Sequence, residues 1–267
     1  MRLPKGYLGI FHKNSIAFIV PSALEWAQSI LSSGATLYEW ASRHSTKEML
    51  AGRGRVFIFR ATGSTENATQ WIVRHYQRGG ILASRLDDRY LVTQTPRPLK
   101  ELRASIEARS RGIPTPRIIG GAVYRSGVFY RADLVTEYLS DVTDLASVIF
   151  GVKERNMAFC TAALHAAGTL VSLLEQKRVV HADLNASNIL VNQPGGAASA
   201  HVIDLDRCRL LSPAARAPVK LMRRRLERSL RKLAQKHGHP LDEGLWMALR
   251  DGYETQPSRL KKPDSLA

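Results

Sequence analysis

The sequence contains few cysteines and few aromatic residues. Its two cysteines, Cys160 and Cys208, lack the spacing of metal ligands, which excludes a disulfide framework and predicts a reducing compartment. Aromatic residues make up 7% of the chain, and it has neither zinc-finger spacing nor the aromatic strand of an RNA-binding domain. No nucleic-acid partner is therefore expected.

Long hydrophobic runs are also missing. The apolar stretch Ile16–Val20 ends at Pro21 and is too short for a signal peptide. A longer stretch at 157–174 is interrupted by polar residues, which favours a buried helix over a membrane span. A chain of 267 residues can still bury a full core, in one bilobal domain or two small ones. We expect a cytoplasmic protein that is not integral to a membrane.

Acidic residues are scarce relative to basic ones. The chain has 39 Lys and Arg against 23 Asp and Glu, a formal net charge of +16. This excess indicates an anionic partner: nucleic acid, an acidic membrane surface or a polyanionic substrate. The segment 216–236 holds nine basic residues and one acid, with apolar residues at helical spacing. It predicts a basic helix that either packs on the core through its apolar stripe or lies near anionic lipid headgroups.

The most informative motif is His-Ala-Asp-Leu-Asn-Ala-Ser-Asn at 181–188, followed by Asp204 after an apolar strand. Kinases arrange a base Asp, an Asn five residues later and a metal-binding Asp in this order. Asp183 is predicted to accept the proton of an attacking hydroxyl. Asn188 and Asp204 offer the hard oxygen ligands that suit Mg²⁺. His181 is expected to be structural.

Short β-branched runs surround this motif. They predict strands at 178–180, 188–191 and 201–203, with a turn at 193–196 between the last two. These strands would hold the loop rigid. The order of strand, Asp, Asn, hairpin, strand and Asp is satisfied as a whole and predicts a phosphoryl-transfer site.

The N-terminal half holds candidates for binding nucleotide phosphates. A helix predicted at 34–50 precedes Gly52 and Gly54, whose backbone amides would approach phosphates if this is not a plain turn. The predicted strand 70–76 carries Arg74 where kinases have a phosphate-binding Lys. Arg is permanently charged and makes bidentate phosphate contacts, so it can serve the same role.

The next helix and strand supply the remaining parts. A helix predicted at 97–111 contains Glu101, which is either the ion-pair partner of the phosphate-binding Arg or an exposed acid. The strand predicted at 133–139 leads into a polar linker, where kinases bind adenine through the backbone. By this order, Glu137 and Leu139 would contribute their backbone groups.

These parts together resemble the 3-deoxy-D-manno-octulosonic acid (Kdo) kinases, lipopolysaccharide core kinases with a protein-kinase-like fold. The resemblance covers about residues 35 to 255 and departs from the family at Leu205 and Cys208, usually Phe and Gly. The segments that carry it hold the Arg-Gly-Gly turn, the Tyr-Arg-Ala-Asp-Leu strand and the Asp-Leu-Asn-Ala loop. They are 52–54, 73–80, 88–91, 112–117, 130–134 with 136–137, 183–186 with 188–190, and 203–207, and the match extends to Trp246 and 252–253.

The resemblance implies a bilobal α+β fold, with an N-terminal antiparallel β lobe and a mainly helical C-terminal lobe. It also implies transfer of the γ-phosphate of ATP, with Mg²⁺, to the 4-hydroxyl of Kdo on a lipid A precursor. This reaction takes place at the cytoplasmic face of the bacterial inner membrane, where the protein would bind peripherally. The lobes are expected at 34–138 and 139–255, with an extension of unknown role at 1–33 and a tail at 256–267.

Other interpretations remain open on the sequence. Arg131, Arg207 and Arg209 are either acceptor-side charges or structural ion-pair partners. A heptose kinase of the same pathway would share these motifs. An aminoglycoside phosphotransferase would also share the Asp-x4-Asn loop. Its cationic substrate favours an acidic pocket, and the strongly basic charge of this chain disfavours that activity. A non-catalytic kinase-like module that binds lipid or nucleic acid is opposed by the joint presence of Asp183, Asn188 and Asp204.

Overall fold

The computed structural model describes residues 3–51, 54–61, 69–77, 88–151, 156–192, 198–212, 215 and 220–255. The chain divides into two compact units. Unit 1 comprises 1–103 and 117–138, and unit 2 comprises 104–116 and 139–267. The short segment 104–116, which lies within the predicted N-terminal lobe 34–138, belongs with unit 2.

Unit 1 is built on an antiparallel sheet whose strands differ in length. Its strand order is β1-β2-β7-β8-β5-β4-β3, with β6 paired to β8. The strands are β1 Leu8–His12, β2 Ser15–Ile19, β3 Lys47–Ala51, β4 Gly54–Arg60, β5 Gln70–His75, β6 Tyr90–Leu91, β7 Ile118–Ser126 and β8 Phe129–Glu137. The helices α1 Leu24–Ser32 and α2 Leu37–His44 belong to unit 1, whereas α3 Arg97–Ser110 begins in unit 1 and ends in the segment 104–116 of unit 2. An aromatic cluster of Trp26, Phe59 and Trp71 lies in the core of unit 1.

The helix predicted at 34–50 is too long. Helix α2 starts at a capping box formed by Thr36 and Glu39 and ends at His44, because Ser45 is extended. Residues 47–51 instead form β3, which pairs antiparallel with β4. The residue types at 47–51 are compatible with a helix, but pairing with β4 makes this segment a strand.

The first 33 residues are part of unit 1 and not a separate extension. Strand β2 pairs with β7, where Gly120 and Gly121 lie opposite Ile19 and Phe18. A Cβ on Gly120 would come within 2.1 Å of Ile19 Cδ1, and one on Gly121 within 2.7 Å of Phe18 Cζ. These glycines therefore let the N-terminal hairpin join the sheet.

Unit 2 is mainly helical. Its helices are α4 Leu145–Phe150, α5 Met157–Gln176, α6 Leu221–His237 and α7 Glu243–Glu254. Its short strands are β9 Thr143–Asp144, β10 Val179–His181, β11 Ile189–Asn192, β12 Ser199–Val202 and β13 Cys208–Leu210. Strand β11 pairs with β9 and β12, and β10 pairs with β13. The strands predicted around the loop therefore form, while the turn at 193–196 lies outside the described residues.

Helix α5 is the central helix of unit 2. By length and composition it could cross a membrane, but 61% of that stretch is buried inside the protein. It crosses α7 with backbone in contact: a Cβ on Gly168 would lie 2.3 Å from Leu249 O, and one on Gly252 would lie 2.2 Å from His165 O. The stretch is therefore a core helix, as its interrupted pattern predicts.

The basic helix predicted at 216–236 is α6, which begins at Leu221; residues 216–219 lie outside the described part of the chain. Met222, Leu226 and Leu230 are buried in the core of unit 2. The apolar stripe is thus used in folding, and the basic residues occupy the remaining faces.

Candidate active site

The predicted catalytic loop connects β10 to β11 within unit 2. Leu184 and Ala186 are buried and anchor it. The backbone N–H of Ala186 donates to Ser229 Oγ of α6 at 3.2 Å, and that of Ile203 donates to Asn188 O at 3.0 Å. The loop is therefore fixed both to α6 and to the chain that leads into Asp204.

His181 lies at the centre of this arrangement and is fully buried. Its Nε2 donates to Ile203 O at 3.0 Å, and its Nδ1 accepts the backbone N–H of Asp183 at 3.2 Å. This pair of bonds requires the neutral Nε2–H tautomer. Burial lowers the pKa of His181, against the opposing effects of Ile203 O and of nearby carboxylates such as Asp204. The imidazole therefore acts as a structural connector, the role expected of it.

The structure brings Asp183, Asn188 and Asp204 into one neighbourhood. Asn188 Nδ2 donates to the carbonyl oxygen of Asp183 at 3.0 Å, as does Asn185 Nδ2. The carboxylate of Asp183 is exposed, as a base that meets an incoming hydroxyl must be.

An amide oxygen and a carboxylate form a donor set that fits Mg²⁺ held jointly with substrate phosphates. No group of three or more His, Cys, Asp or Glu side chains that could hold a metal occurs in the described residues. Asn188 and Asp204 would therefore hold a magnesium ion that arrives with the nucleotide. When bound, this ion would neutralise phosphate charge. The assignment of both residues stays a prediction.

Asp204 has a left-handed backbone conformation, with φ 64° and ψ 57°. A non-glycine residue in this region is strained, and such strain is often found at functional sites. The short 3₁₀ turn Leu205–Arg207 follows directly. The turn places Arg207 beside the catalytic loop, with Nη1 3.2 Å from Asp183 Oδ2. The sequence leaves Arg207 as either an acceptor-side charge or an ion-pair partner, and it does not reveal the contact with Asp183.

Unit 1 contains the predicted ion pair. Arg74 Nη2 lies 2.6 Å from both carboxylate oxygens of Glu101, and Tyr76 Oη donates a very short hydrogen bond to Glu101. Glu101 is buried, whereas Arg74 is partly exposed. The pair thus leaves the arginine a solvent-facing side. Binding of nucleotide phosphate by Arg74 stays a prediction.

The other predicted nucleotide contacts are less defined. Gly52 lies outside the described residues, and Gly54 opens β4 next to the Gln77 side chain. Glu137 ends β8, and its backbone N–H donates to Arg117 O at 2.9 Å. Leu139 is the first residue of the chain after unit 1. The roles of these four residues stay predictions.

Unit 1 also contains a polar cluster that the sequence did not reveal. His75 Nδ1 is 2.6 Å from Asp133 Oδ1, and its Nε2 is 2.9 Å from Asp88 Oδ2. Asp133 is completely buried and also accepts the Tyr124 hydroxyl at 2.8 Å. Arg131 forms an ion pair with Asp88 at 3.0 Å, so its role in the structure is that of an ion-pair partner. Only the resemblance of 73–80, 88–91 and 130–134 to one family hinted that these segments belong together.

The order of the antiparallel sheet, the Arg74–Glu101 pair, the Asp183 loop and Asp204 is that of the protein-kinase-like α+β fold. Comparison with known proteins agrees. The family model described as "Lipopolysaccharide kinase (Kdo/WaaP) family" matches residues 39–253. The chain belongs to this family and is a kinase, a phosphotransferase.

Several curated relatives are described as 3-deoxy-D-manno-octulosonic acid kinase. The one from Xylella fastidiosa (strain 9a5c) is 34% identical over 82% of this chain and 83% of its own length. The one from Actinobacillus succinogenes is 31% identical over 68% of this chain and 74% of its own. A solved structure described as "WaaP in complex with acyl carrier protein" aligns at TM-score 0.48 and 17% identity over 87% of both chains.

Proposed function

We propose that this protein is an ATP-dependent Kdo kinase of lipopolysaccharide inner-core synthesis that phosphorylates the 4-hydroxyl of Kdo on a lipid A precursor. The observation that carries the proposal is the assembly of Asp183, Asn188 and Asp204 in a chain whose relatives are described as Kdo kinases. Catalysis of phosphoryl transfer depends mainly on positioning the reactants and neutralising their charge. The residue types of this site suit both tasks.

Each residue of the site has a role in this proposal. The exposed carboxylate of Asp183 orients the sugar hydroxyl and takes its proton. Asn188 and Asp204 hold the magnesium ion that accompanies ATP. Arg74, fixed by Glu101, contacts the nucleotide phosphates. His181 keeps the loop and the segment before Asp204 in register.

The proposal includes peripheral binding to the cytoplasmic face of the inner membrane. The exposed residues Arg224, Arg228, Lys232 and Lys236 follow one another at i, i+4 spacing along α6 and form a basic row. The apolar stripe of the same helix is buried in the core, so the row would bind lipid by charge and not by insertion. An acceptor with lipid A phosphates and a sugar carboxylate fits the same charge.

The direct test is incubation of the purified protein with labelled ATP, Mg²⁺ and a Kdo-capped lipid A precursor. We expect the acceptor to gain one phosphate by mass spectrometry, at the 4-position of Kdo by NMR. Asp183→Ala should lower the rate by about 10²–10⁴, because it removes the base. Transfer only to an acceptor that carries heptose, or to no lipid-linked sugar, would count against the proposal.

A further inference from the structure

The catalytic loop carries no positive charge of its own. Residues 181–188 contain one acid, Asp183, and neither Lys nor Arg. Yet the transferring phosphoryl group develops charge on its oxygens that kinases and GTPases stabilise with cations placed beside the reacting atoms. Beside the magnesium ion proposed above, a side-chain cation for this position would come from another segment of the fold.

Arg207 is placed to supply it. Its Nη1 lies 3.2 Å from Asp183 Oδ2, and the two side chains are 64% and 56% exposed. A guanidinium has five N–H donors in a planar fork, and among the described residues the bond to Asp183 is the one side-chain hydrogen bond or ion pair that Arg207 makes. Most of its donors are thus free for a ligand that lies next to the Asp183 carboxylate.

Folding does not account for this pair. Exposed ion pairs contribute little to stability, since water solvates both partners well. The pairing is explained if the carboxylate is only a temporary partner and the arginine turns to a more highly charged group once substrates are bound.

The geometry points to Arg207 as a catalytic residue that binds the transferring phosphoryl group, as an arginine finger supplied by the chain itself. In this step the bond between the γ-phosphorus and the β,γ-bridging oxygen breaks and ADP leaves with the electron pair. A bond forms between the acceptor oxygen and the γ-phosphorus, and the hydroxyl proton passes to Asp183. Arg207 donates to the equatorial oxygens of the phosphoryl group throughout.

This inference rests on the kinase activity of the family and not on the identity of the acceptor. It can therefore be tested without an acceptor, with ADP, Mg²⁺ and aluminium fluoride as an anionic mimic of the transferring group. We expect Arg207→Ala to bind ADP within about twofold of wild type but to lose on the order of 10²-fold or more in affinity for the fluoride complex. Arg207→Lys should recover part of this loss, since it keeps the charge without the planar fork.

The matched control is Arg250→Ala. Arg250 is 56% exposed and pairs with the exposed Glu243 at 2.8 Å, also in unit 2. Arg250→Ala should change neither the affinity for ADP nor the affinity for the fluoride complex. With an acceptor that the wild type uses, Arg207→Ala should lower kcat on the order of 10³-fold with little change in KM.

A double variant separates catalysis from positioning. If Arg207 acts only by orienting Asp183, adding Arg207→Ala to Asp183→Ala will not lower the rate further. Arg207→Ala will then also bind the fluoride complex with the affinity of the wild type. If it binds an acceptor carboxylate instead, KM for the acceptor will rise while affinity for the fluoride complex is unchanged. Either result would overturn the inference, as would a wild type that gains no affinity for ADP from aluminium fluoride. If the protein fails to phosphorylate Kdo, the proposed acceptor is wrong, but the ADP measurements still test the role of Arg207.

Discussion

The two partners of the Arg74–Glu101 pair differ in exposure. Glu101 is buried and held by Arg74 and Tyr76, while Arg74 keeps a face toward solvent. Removing the arginine alone strands a buried carboxylate, whereas replacing both partners with apolar residues removes the uncompensated charge. The pair can therefore be tested separately for stability and for activity.

Arg74→Met should lower the free energy of unfolding by up to about 3–5 kcal/mol and also weaken ATP binding. Arg74→Met/Glu101→Leu should recover most of the stability but not the affinity, because no cation remains for the phosphates. Urea unfolding and the KM for ATP measure the two effects. A double variant with the wild-type KM for ATP would show that Arg74 does not contact the nucleotide.

His75 lies between two carboxylates in the polar cluster of unit 1. Burial alone would lower the pKa of His75, but hydrogen bonds and charge from Asp133, and then from Asp88, outweigh burial and raise it. Because the folded pKa exceeds the unfolded value of about 6.5, the stabilisation is fully present below that pH and is lost as pH rises through the raised pKa. The other groups that face this cluster are Tyr38, Tyr124 and, through Asp88, Arg131.

His75→Gln keeps hydrogen-bonding capacity but removes the charge. The variant should therefore be less stable than wild type by a larger margin at pH 6 than at pH 9. Urea denaturation midpoints at both pH values measure the margin, with His239→Gln at an exposed position as the control. A margin that stays constant with pH would mean that His75 does not carry the charge.

At the scale of elements, local pattern predicted some parts of the fold and tertiary pairing decided others. The strands around Asp183 and helix α3 were predictable because their periodicity and turn residues are local signals. Residues 47–51 become a strand only because β4 lies beside them, and β2 joins the sheet only because β7 presents two glycines. The contact of Arg207 with Asp183 also depends on a turn that no sequence period reveals.

The crossing of α5 and α7 depends on Gly168 and Gly252, whose missing side chains let the two backbones touch. Gly252→Ala should destabilise the protein by about 1–3 kcal/mol, because the methyl group has no space. Gly244→Ala, on the same helix, meets only the Asp242 side chain at 3.3 Å and should therefore cost clearly less than Gly252→Ala. Thermal unfolding of the two variants checks the contrast, and equal effects would show that the crossing is not tight.

At the scale of the whole molecule, the charge of +16 should govern association with membranes. We expect sedimentation with anionic vesicles at low salt and release at high salt, because exposed charges are screened. Replacing the basic row (Arg224, Arg228, Lys232 and Lys236) with Gln should weaken binding by roughly 1 kcal/mol per residue.

A control with the same loss of charge replaces four exposed bases of unit 1: Arg43, Lys47, Lys100 and Arg125. An equal loss of vesicle binding in both variants would assign the effect to net charge and not to α6. Binding that persists unchanged at high salt would argue against an electrostatic attachment altogether.

The imidazole of His181 joins the backbone of Asp183 to that of Ile203, the residue before Asp204. One rigid ring therefore links the backbone of Asp183, the proposed proton acceptor, to that of the residue before Asp204, the proposed metal ligand. A displacement of Asp204 would therefore be transmitted through this ring to the backbone of Asp183.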